Sequence, residues 1–169
     1  MRKFLLAFLF VSMTMNAQLI GFGTKEYFTA SMFVDPLGSI REEGLDFGAE
    51  LELVSHGGYV KVGTQIFPTL VGGYLDTVGA GGFNLVLEPF EETRFYTGLR
   101  LGLIHRGIKR HFDTVVYPLV GWEAGFDTDI TDKWFAGMSL ITDWREDFKF
   151  TGGDPGLQVS GRVRAGFKF

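Results

Sequence analysis

Hydrophobic and polar residues alternate along the last thirteen positions of the chain, from Leu157 to Phe169. Every second side chain is apolar or small, whereas the positions between them carry the cationic residues Arg162, Arg164 and Lys168. Neighbouring side chains of a strand point to opposite faces. The period therefore predicts a β-strand with one apolar face and one charged face.

The same alternation recurs in seven earlier segments, which makes eight predicted strands. Their sequences are, in chain order, EYFTASMFVD, LDFGAELELV, YVKVGTQIF, GGFNLVLE, TRFYTGLRLGLIHR, VVYPLVGWEAGFD and DKWFAGMSLITDWR. No segment shows a sustained helical period, and none outside the N-terminus is apolar over the length that a membrane-spanning helix needs. The pattern predicts an all-β protein.

Connections between the predicted strands alternate in length. Those after strands two, four and six are compact: SHGG, EPFEET and DTDIT. Those after strands one, three, five and seven are generally longer: LGSIREE, PTLVGGYLD, GIKRHFD and EDFKFTGGDPG. An even strand number with short turns at one end and longer loops at the other is typical of outer-membrane barrels. We therefore predict an eight-stranded antiparallel up-and-down transmembrane β-barrel.

The charged faces of the strands would line the interior of such a barrel. Eight strands enclose little space, so long charged side chains need small neighbours. Glycines recur on the charged face: Gly48, Gly63, Gly98, Gly102, Gly121, Gly125, Gly137 and Gly166. We predict a salt-bridge network that fills the lumen, formed by Glu50, Glu52, Lys61, Arg100, Glu123, Arg162 and Arg164. The alternative, a soluble barrel with these charges outside, would bury the Trp and Phe side chains in a narrow interior.

Aromatic residues mark both predicted ends of the apolar faces. Trp134 and Trp144 are ten residues apart on one face. At about 3.3 Å per residue and a tilt near 40° they stand about 25 Å apart along the membrane normal, the height of the apolar band between two aromatic girdles. We assign the girdles to Trp134, Trp144, Phe95 and Phe126, with Phe28, Tyr59, Phe167 and Phe169 joining the rim near Trp134.

The N-terminus predicts export. Arg2 and Lys3 precede the apolar run FLLAFLFVSMTM, and NAQ follows with the small Ala17 just before a cleavage position. The run is shorter than the roughly 20 apolar residues of a membrane-spanning helix. We predict a signal peptide at residues 1–17, a barrel domain at 18–169, and localisation in the bacterial outer membrane.

Composition and motifs exclude several other classes of function. The net charge of −4 provides no basic field for nucleic acid. The absence of cysteine excludes disulfides, thiol catalysis and Cys-based zinc sites. Three histidines far apart in sequence predict no metal site. The glycines of GAGGFN open no helix, so they predict no phosphate loop. We expect no cofactor.

The export signal, the eight alternating strands and the terminal Phe169, preceded at every second position by Phe167, Ala165 and Val163, together resemble a known family. It is the small outer-membrane barrels of the OmpA transmembrane domain and OmpX type. The resemblance is architectural and covers residues 26–169. It implies that the C-terminal aromatic strand, with Phe169 and Phe167, is the assembly signal read by the barrel-assembly machinery.

We expect a non-enzymatic outer-membrane barrel with a charged, plugged lumen, which supports envelope integrity or interacts with a partner at the cell surface. Outer-membrane lipids and lipopolysaccharide are expected partners, and Lys109, Arg110 and His111 suit anionic phosphates. The alternatives are a small pore, a lipid-modifying enzyme, or a periplasmic lipocalin-like ligand-binding barrel. The enzyme hypothesis depends on His105 of the fifth strand, for which no serine on the same face of a neighbouring strand completes a dyad.

Overall fold

The computed structural model describes residues 26–55, 57–68, 73–87, 90–107, 114–148 and 154–169. The predicted signal peptide, residues 1–17, lies outside the described residues, as do Lys109, Arg110 and His111.

Eight antiparallel strands close into a barrel in chain order, with β1 paired to β8. They are β1 (Tyr27–Val34), β2 (Phe47–Ser55), β3 (Gly58–Phe67), β4 (Tyr74–Val86), β5 (Thr93–Gly107), β6 (Thr114–Asp129), β7 (Trp134–Arg145) and β8 (Gly156–Lys168). A short helix, α1 (Pro36–Arg41), follows β1. No helix among the described residues is long and apolar enough to cross a membrane. The predicted all-β, eight-stranded, up-and-down antiparallel barrel is confirmed.

The two ends of the barrel differ in their connections. We call the end with the connections after β2, β4 and β6 the turn end. The start of β1 and the end of β8 also lie there. The opposite end, with the connections after β1, β3, β5 and β7, is the loop end.

The outer and inner faces of the wall have opposite chemistry. Apolar side chains point outward, and Val60 and Leu101 are 67% and 63% exposed. Glu52 and Arg100 point inward and are each 1% exposed. The wall is therefore inverted relative to a soluble barrel, which would bury its apolar face.

Two strands extend into predicted connections. β4 begins at Tyr74, inside the predicted loop PTLVGGYLD, because its ladder with β3 continues through Asp76, which faces Gln65. β6 reaches Asp129, so Asp127 of the predicted turn DTDIT is a strand residue. Inward positions of early β4 include Tyr74 and Val78, so polarity there does not alternate as it does in the other strands.

Helix α1 replaces part of the predicted loop LGSIREE. Asp35 caps the helix: its Oδ1 accepts a hydrogen bond from the Gly38 amide at 2.8 Å. Pro36 follows in the first turn, where proline is pre-organised for a helix. Asp-Pro before a short segment is the local signal that favours this helix.

Because β1 is shorter than β8, the part of β8 towards the loop end has no strand neighbour on its β1 side. Pairing between β1 and β8 ends at Val34 and Val163, whereas β8 continues to Gly156 alongside β7. Helix α1 packs along this edge, where Asp35 Oδ1 accepts from the Gly161 amide at 3.2 Å. Arg41 Nη1 also donates to the Val159 carbonyl at 3.0 Å. Covering a bare strand edge protects it from pairing with another chain.

Candidate functional site: the charged lumen

All seven residues of the predicted network point into the barrel from β2, β3, β5, β6 and β8. Each is 5% exposed or less: Glu50, Glu52, Lys61, Arg100, Glu123, Arg162 and Arg164. A charge removed from water at this depth must be paired and hydrogen-bonded. The pairing within the lumen is thus the main feature of the site.

Glu50 lies at the centre of the ion pairs. Its carboxylate receives Arg162 Nη1 at 2.7 Å and Arg164 Nη1 at 3.0 Å, with Lys61 Nζ at 3.7 Å. Lys61 also contacts Glu123 at 2.8 Å, and Glu123 accepts from Arg100 at 3.2 Å. Lys61 therefore joins the two carboxylates into one network.

Three further residues extend this network: Arg94, Asp127 and Asp143. Arg164 Nη2 contacts Asp127 at 2.5 Å and Glu52 at 3.4 Å. Arg94 contacts Glu52 at 2.9 Å and the same Asp127 carboxylate at 2.5 Å. Arg100 reaches Asp143 at 3.1 Å. The lumen network consists of five cations and five carboxylates: Lys61, Arg94, Arg100, Arg162, Arg164, Glu50, Glu52, Glu123, Asp127 and Asp143.

The sequence contained only part of the signal for these additional members. Arg94 and Asp143 fall on the charged faces of their strands, so alternation places them inward. Asp127 lies in a segment that reads as a turn. Ion pairing between distant strands depends on barrel closure, which alternation does not describe.

Glycines make the room that the network requires. A Cβ at Gly63 would stand 2.7 Å from Glu50 Cγ, and one at Gly137 would overlap Asp127 Oδ1. Gly121 has the same relation to Asp143. Larger residues at these positions would displace charged side chains from their partners.

Two tyrosines complete the polar interior. Tyr59 was expected at the outer rim near Trp134, and this assignment is wrong: it is 3% exposed, and its hydroxyl donates to Glu123 at 2.7 Å. The alternation that sends Val60 outward sends Tyr59 inward. The Tyr96 ring lies 4.8 Å from the Arg164 guanidinium and 4.9 Å from Lys61 Nζ, within cation–π range.

An apolar layer lies inside the barrel near the loop ends of β3, β4, β5 and β6. It consists of Phe67, Tyr74, Val78, Ile104 and Leu119, each 5% exposed or less. Sequence analysis missed this layer, because Tyr74 falls in a predicted loop and because inward positions were expected to be charged or small. The described interior thus holds ion pairs over most of its height and apolar side chains towards the loop end.

A second ionic cluster adjoins this layer, because Arg106 is in register with Tyr74 and Arg145 with Leu119. Asp147, which follows β7, accepts from Arg106 Nε at 2.7 Å and from Arg145 Nη2 at 2.8 Å. Burial opposes ionisation of this carboxyl, but hydrogen bonds and charge from Arg145 and Arg106 hold the pKa of Asp147 below its ordinary value. The Tyr74 ring stacks within 4.8 Å of both guanidinium groups.

The residues assigned to the girdles lie on the outer wall. Trp134, Trp144 and Phe126 are 54%, 48% and 38% exposed, and Phe95 is half-buried. Phe95 and Phe126 are neighbours, with ring centroids 6.3 Å apart.

The C-terminal aromatics form a cluster at the turn end. Phe167 contacts Trp134 and Phe169 with ring centroids 5.2 Å apart in each pair, and Phe28 lies 5.9 Å from Phe169. The last residue is also tied to β1, because the Phe169 amide donates to the Phe28 carbonyl at 2.9 Å. The end of the chain is therefore an integral part of the wall.

His105 and Ser139 lie on opposite faces of the wall. His105 lies on the outer face of β5, where its register partners are Leu75 and Val116. Ser139 points inward and is 7% exposed. Within the described part of the chain, no group of three or more His, Cys, Asp and Glu residues could hold a metal ion.

No protein-family model and no curated protein matches the chain. Several solved structures are similar in fold, among them a β-barrel domain and a surface protein. The N-terminal β-barrel domain of Pseudomonas aeruginosa OprF aligns with a TM-score of 0.64 at 13% identity, covering 86% of this chain and 100% of that chain. Neisserial surface protein A (NspA) aligns with a TM-score of 0.52 at 12% identity, covering 85% of this chain and 95% of that chain. The chain has the fold of the small eight-stranded outer-membrane β-barrels, which confirms the predicted resemblance.

Proposed function

We propose that this protein is an integral outer-membrane β-barrel with a sealed lumen, which supports envelope integrity or presents its loop end to a partner. The observation that supports this proposal is the set of side chains inside the barrel: the lumen network of ten charged side chains, together with the apolar layer on its loop-end side. An interior built in this way leaves little path for ions and little volume for a ligand.

The outer wall supports the proposed membrane location. Its exposed apolar side chains would be costly in water but match hydrocarbon, and aromatic residues stand at its two rims. A lipocalin-like binder would need an apolar cavity inside, where this barrel holds buried charge. An enzyme acting on lipid would need an activated nucleophile, and the neighbours of His105 are apolar.

The sealed lumen predicts an absence of conductance. The mature chain, residues 18–169, is expected to give no ion-conducting steps in a planar lipid bilayer, because the lumen network and the apolar layer occlude the pathway. A large-lumen porin tested in the same bilayer shows that steps would be detected. Reproducible steps from the folded protein would contradict the sealed barrel and favour the pore.

We also propose that Phe169 and Phe167 form the signal read by the barrel-assembly machinery. Replacing both with serine is expected to reduce the amount of folded protein in the outer membrane of living cells, while refolding in detergent is largely retained. Phe28→Ser is the matched control, since Phe28 packs against Phe169 but lies in β1. Equal losses for Phe28→Ser and the C-terminal variant would indicate packing alone and contradict a signal.

Lipopolysaccharide and other outer-membrane lipids remain proposed partners. The cationic residues Lys109, Arg110 and His111 would meet lipid phosphates if the loop end faces the cell exterior. Analysis of lipid A from cells with and without the protein separates this binding role from the enzyme, because only an enzyme changes the acyl chains.

A further inference from the structure

Helix α1 occupies a position in the wall rather than projecting from it. Resting on the membrane location proposed above, we propose that residues 36–45 lie within the leaflet at the loop end, where Ile40 and Leu45 contact lipid acyl chains. The segment would thus be a lipid-binding surface in a region that sequence analysis treats as a loop.

The depth of α1 follows from the register of β8. Arg41 binds the carbonyl of Val159, which pairs with Thr142 of β7. The girdle residue Trp144 pairs with Leu157, two positions closer to the loop end. The contact between α1 and the wall is therefore deeper than the predicted girdle, inside the apolar band.

The helix is fixed at this depth from two sides. On its outer side, the Leu37 side chain covers Gly161, where an added Cβ would stand 3.1 Å from Leu37 Cδ1. On its inner side, Gly38 is buried beside the carboxylates of Asp35 and Asp46, which are both 0% exposed. The helix thus fills the space that a longer β1 would occupy.

Two apolar side chains of this segment point away from the barrel. Ile40 is 76% exposed and Leu45 is 62% exposed. They continue the apolar surface of the adjoining wall, where Leu157 and Val159 are 66% and 47% exposed. This continuity indicates the occupant: the surface next to α1 is the lipid-facing band, so acyl chains that surround the barrel would also cover Ile40 and Leu45.

The charged residues of the segment are within reach of the headgroups, because the carbonyl that Arg41 binds is only two β8 positions from the level of the girdle residue Trp144. They are consecutive, at 41–43, and the Arg41 guanidinium contacts both Glu42, at 3.6 Å, and the Val159 carbonyl. An arginine whose charge is met by a carboxylate and a backbone oxygen is tolerated at the interface.

The chain contains no cysteine, so single-cysteine variants give clean labelling. Ile40→Cys and Leu45→Cys would be tested beside Leu101→Cys, in the outward band of β5, and Asp132→Cys, in the exposed β6–β7 turn. Each mature variant is nitroxide-labelled and folded into phosphatidylcholine vesicles. Electron paramagnetic resonance then measures collision of the label with oxygen, which concentrates in lipid, and with a water-soluble nickel chelate.

We expect the labels at Ile40 and Leu45 to collide with oxygen several-fold more than with the nickel chelate, as at Leu101, whereas the label at Asp132 shows the reverse. Nickel access at Ile40 and Leu45 equal to that at Asp132 would overturn the proposal while leaving the barrel in the membrane. Dipolar broadening between labels at Ile40 would identify a second copy as the occupant and also overturn it. Nickel access at Leu101 would overturn the membrane location and this proposal together.

Discussion

Replacing Arg164 with methionine is expected to lower the free energy of unfolding by about 3–5 kcal/mol, the cost of breaking a buried ion pair from one side. Arg164 is 2% exposed and contacts the carboxylates of Glu50, Glu52 and Asp127. Without the guanidinium, three buried carboxylates lose a shared partner. Urea unfolding in phospholipid vesicles, followed by tryptophan fluorescence, measures the loss.

Two variants test the cause of this loss. Lys133→Met removes a cation from the exposed β6–β7 turn and is expected to change stability by about 0.5 kcal/mol or less. Adding Glu52→Gln to Arg164→Met neutralises one of the carboxylates left behind, while Arg94 keeps its contact with Asp127, so part of the lost stability should return. A loss below about 1 kcal/mol for Arg164→Met alone would show that the lumen admits water and screens its charges.

Leu101→Arg is expected to cost about 2–4 kcal/mol, the penalty for a cation on the lipid face near the middle of the bilayer. Leu101 is 63% exposed on the outer wall, between Gly79 of β4 and Val120 of β6. The same unfolding experiment measures the effect. Asp132→Arg in the exposed turn serves as the control, with an expected change of about 0.5 kcal/mol or less.

The Leu101→Arg result distinguishes an outer wall that faces lipid from one that faces water. In a soluble barrel, an exposed leucine exchanged for arginine would leave stability unchanged or improve solubility. Equal stability of Leu101→Arg and Asp132→Arg would therefore show that the outer wall faces water and would contradict the proposed membrane location.

Alternation was sufficient to predict the fold because the strand period, the charge of one face of each strand and the lengths of the connections can all be read from short segments of the sequence. It placed Arg164 inside the barrel, for example. It could not pair Arg164 with Glu50, which lies 114 residues away and meets it only across the closed lumen. The error at Tyr59 has a different cause. Alternation with the outward Val60 already indicated an inward position, but an aromatic residue near a turn was assigned to the girdle instead.

The missed elements have local explanations. Early β4 places Tyr74 and Val78 inside on either side of Asp76, so apolar and charged residues share its inward face and the alternation that identifies the other strands is obscured. Helix α1 is too short to show a helical period, although Asp35 and Pro36 are typical of a helix start. The apolar layer depends on residues from four strands that share a height, and this height follows from register rather than from any one segment.

The position of Arg162 and Arg164 in β8 links charge balance to the completion of the barrel. Both arginines pair with Glu50 of β2, yet they enter the lumen only when the last strand docks between β7 and β1. A chain folded as far as β7 would hold the carboxylates of Glu50, Glu52 and Asp127 without two of the cations of the lumen network. Docking of β8 therefore supplies these two cations in the same step that closes the wall. A barrel without β8 would keep uncompensated negative charge in its interior, which favours all-or-none assembly.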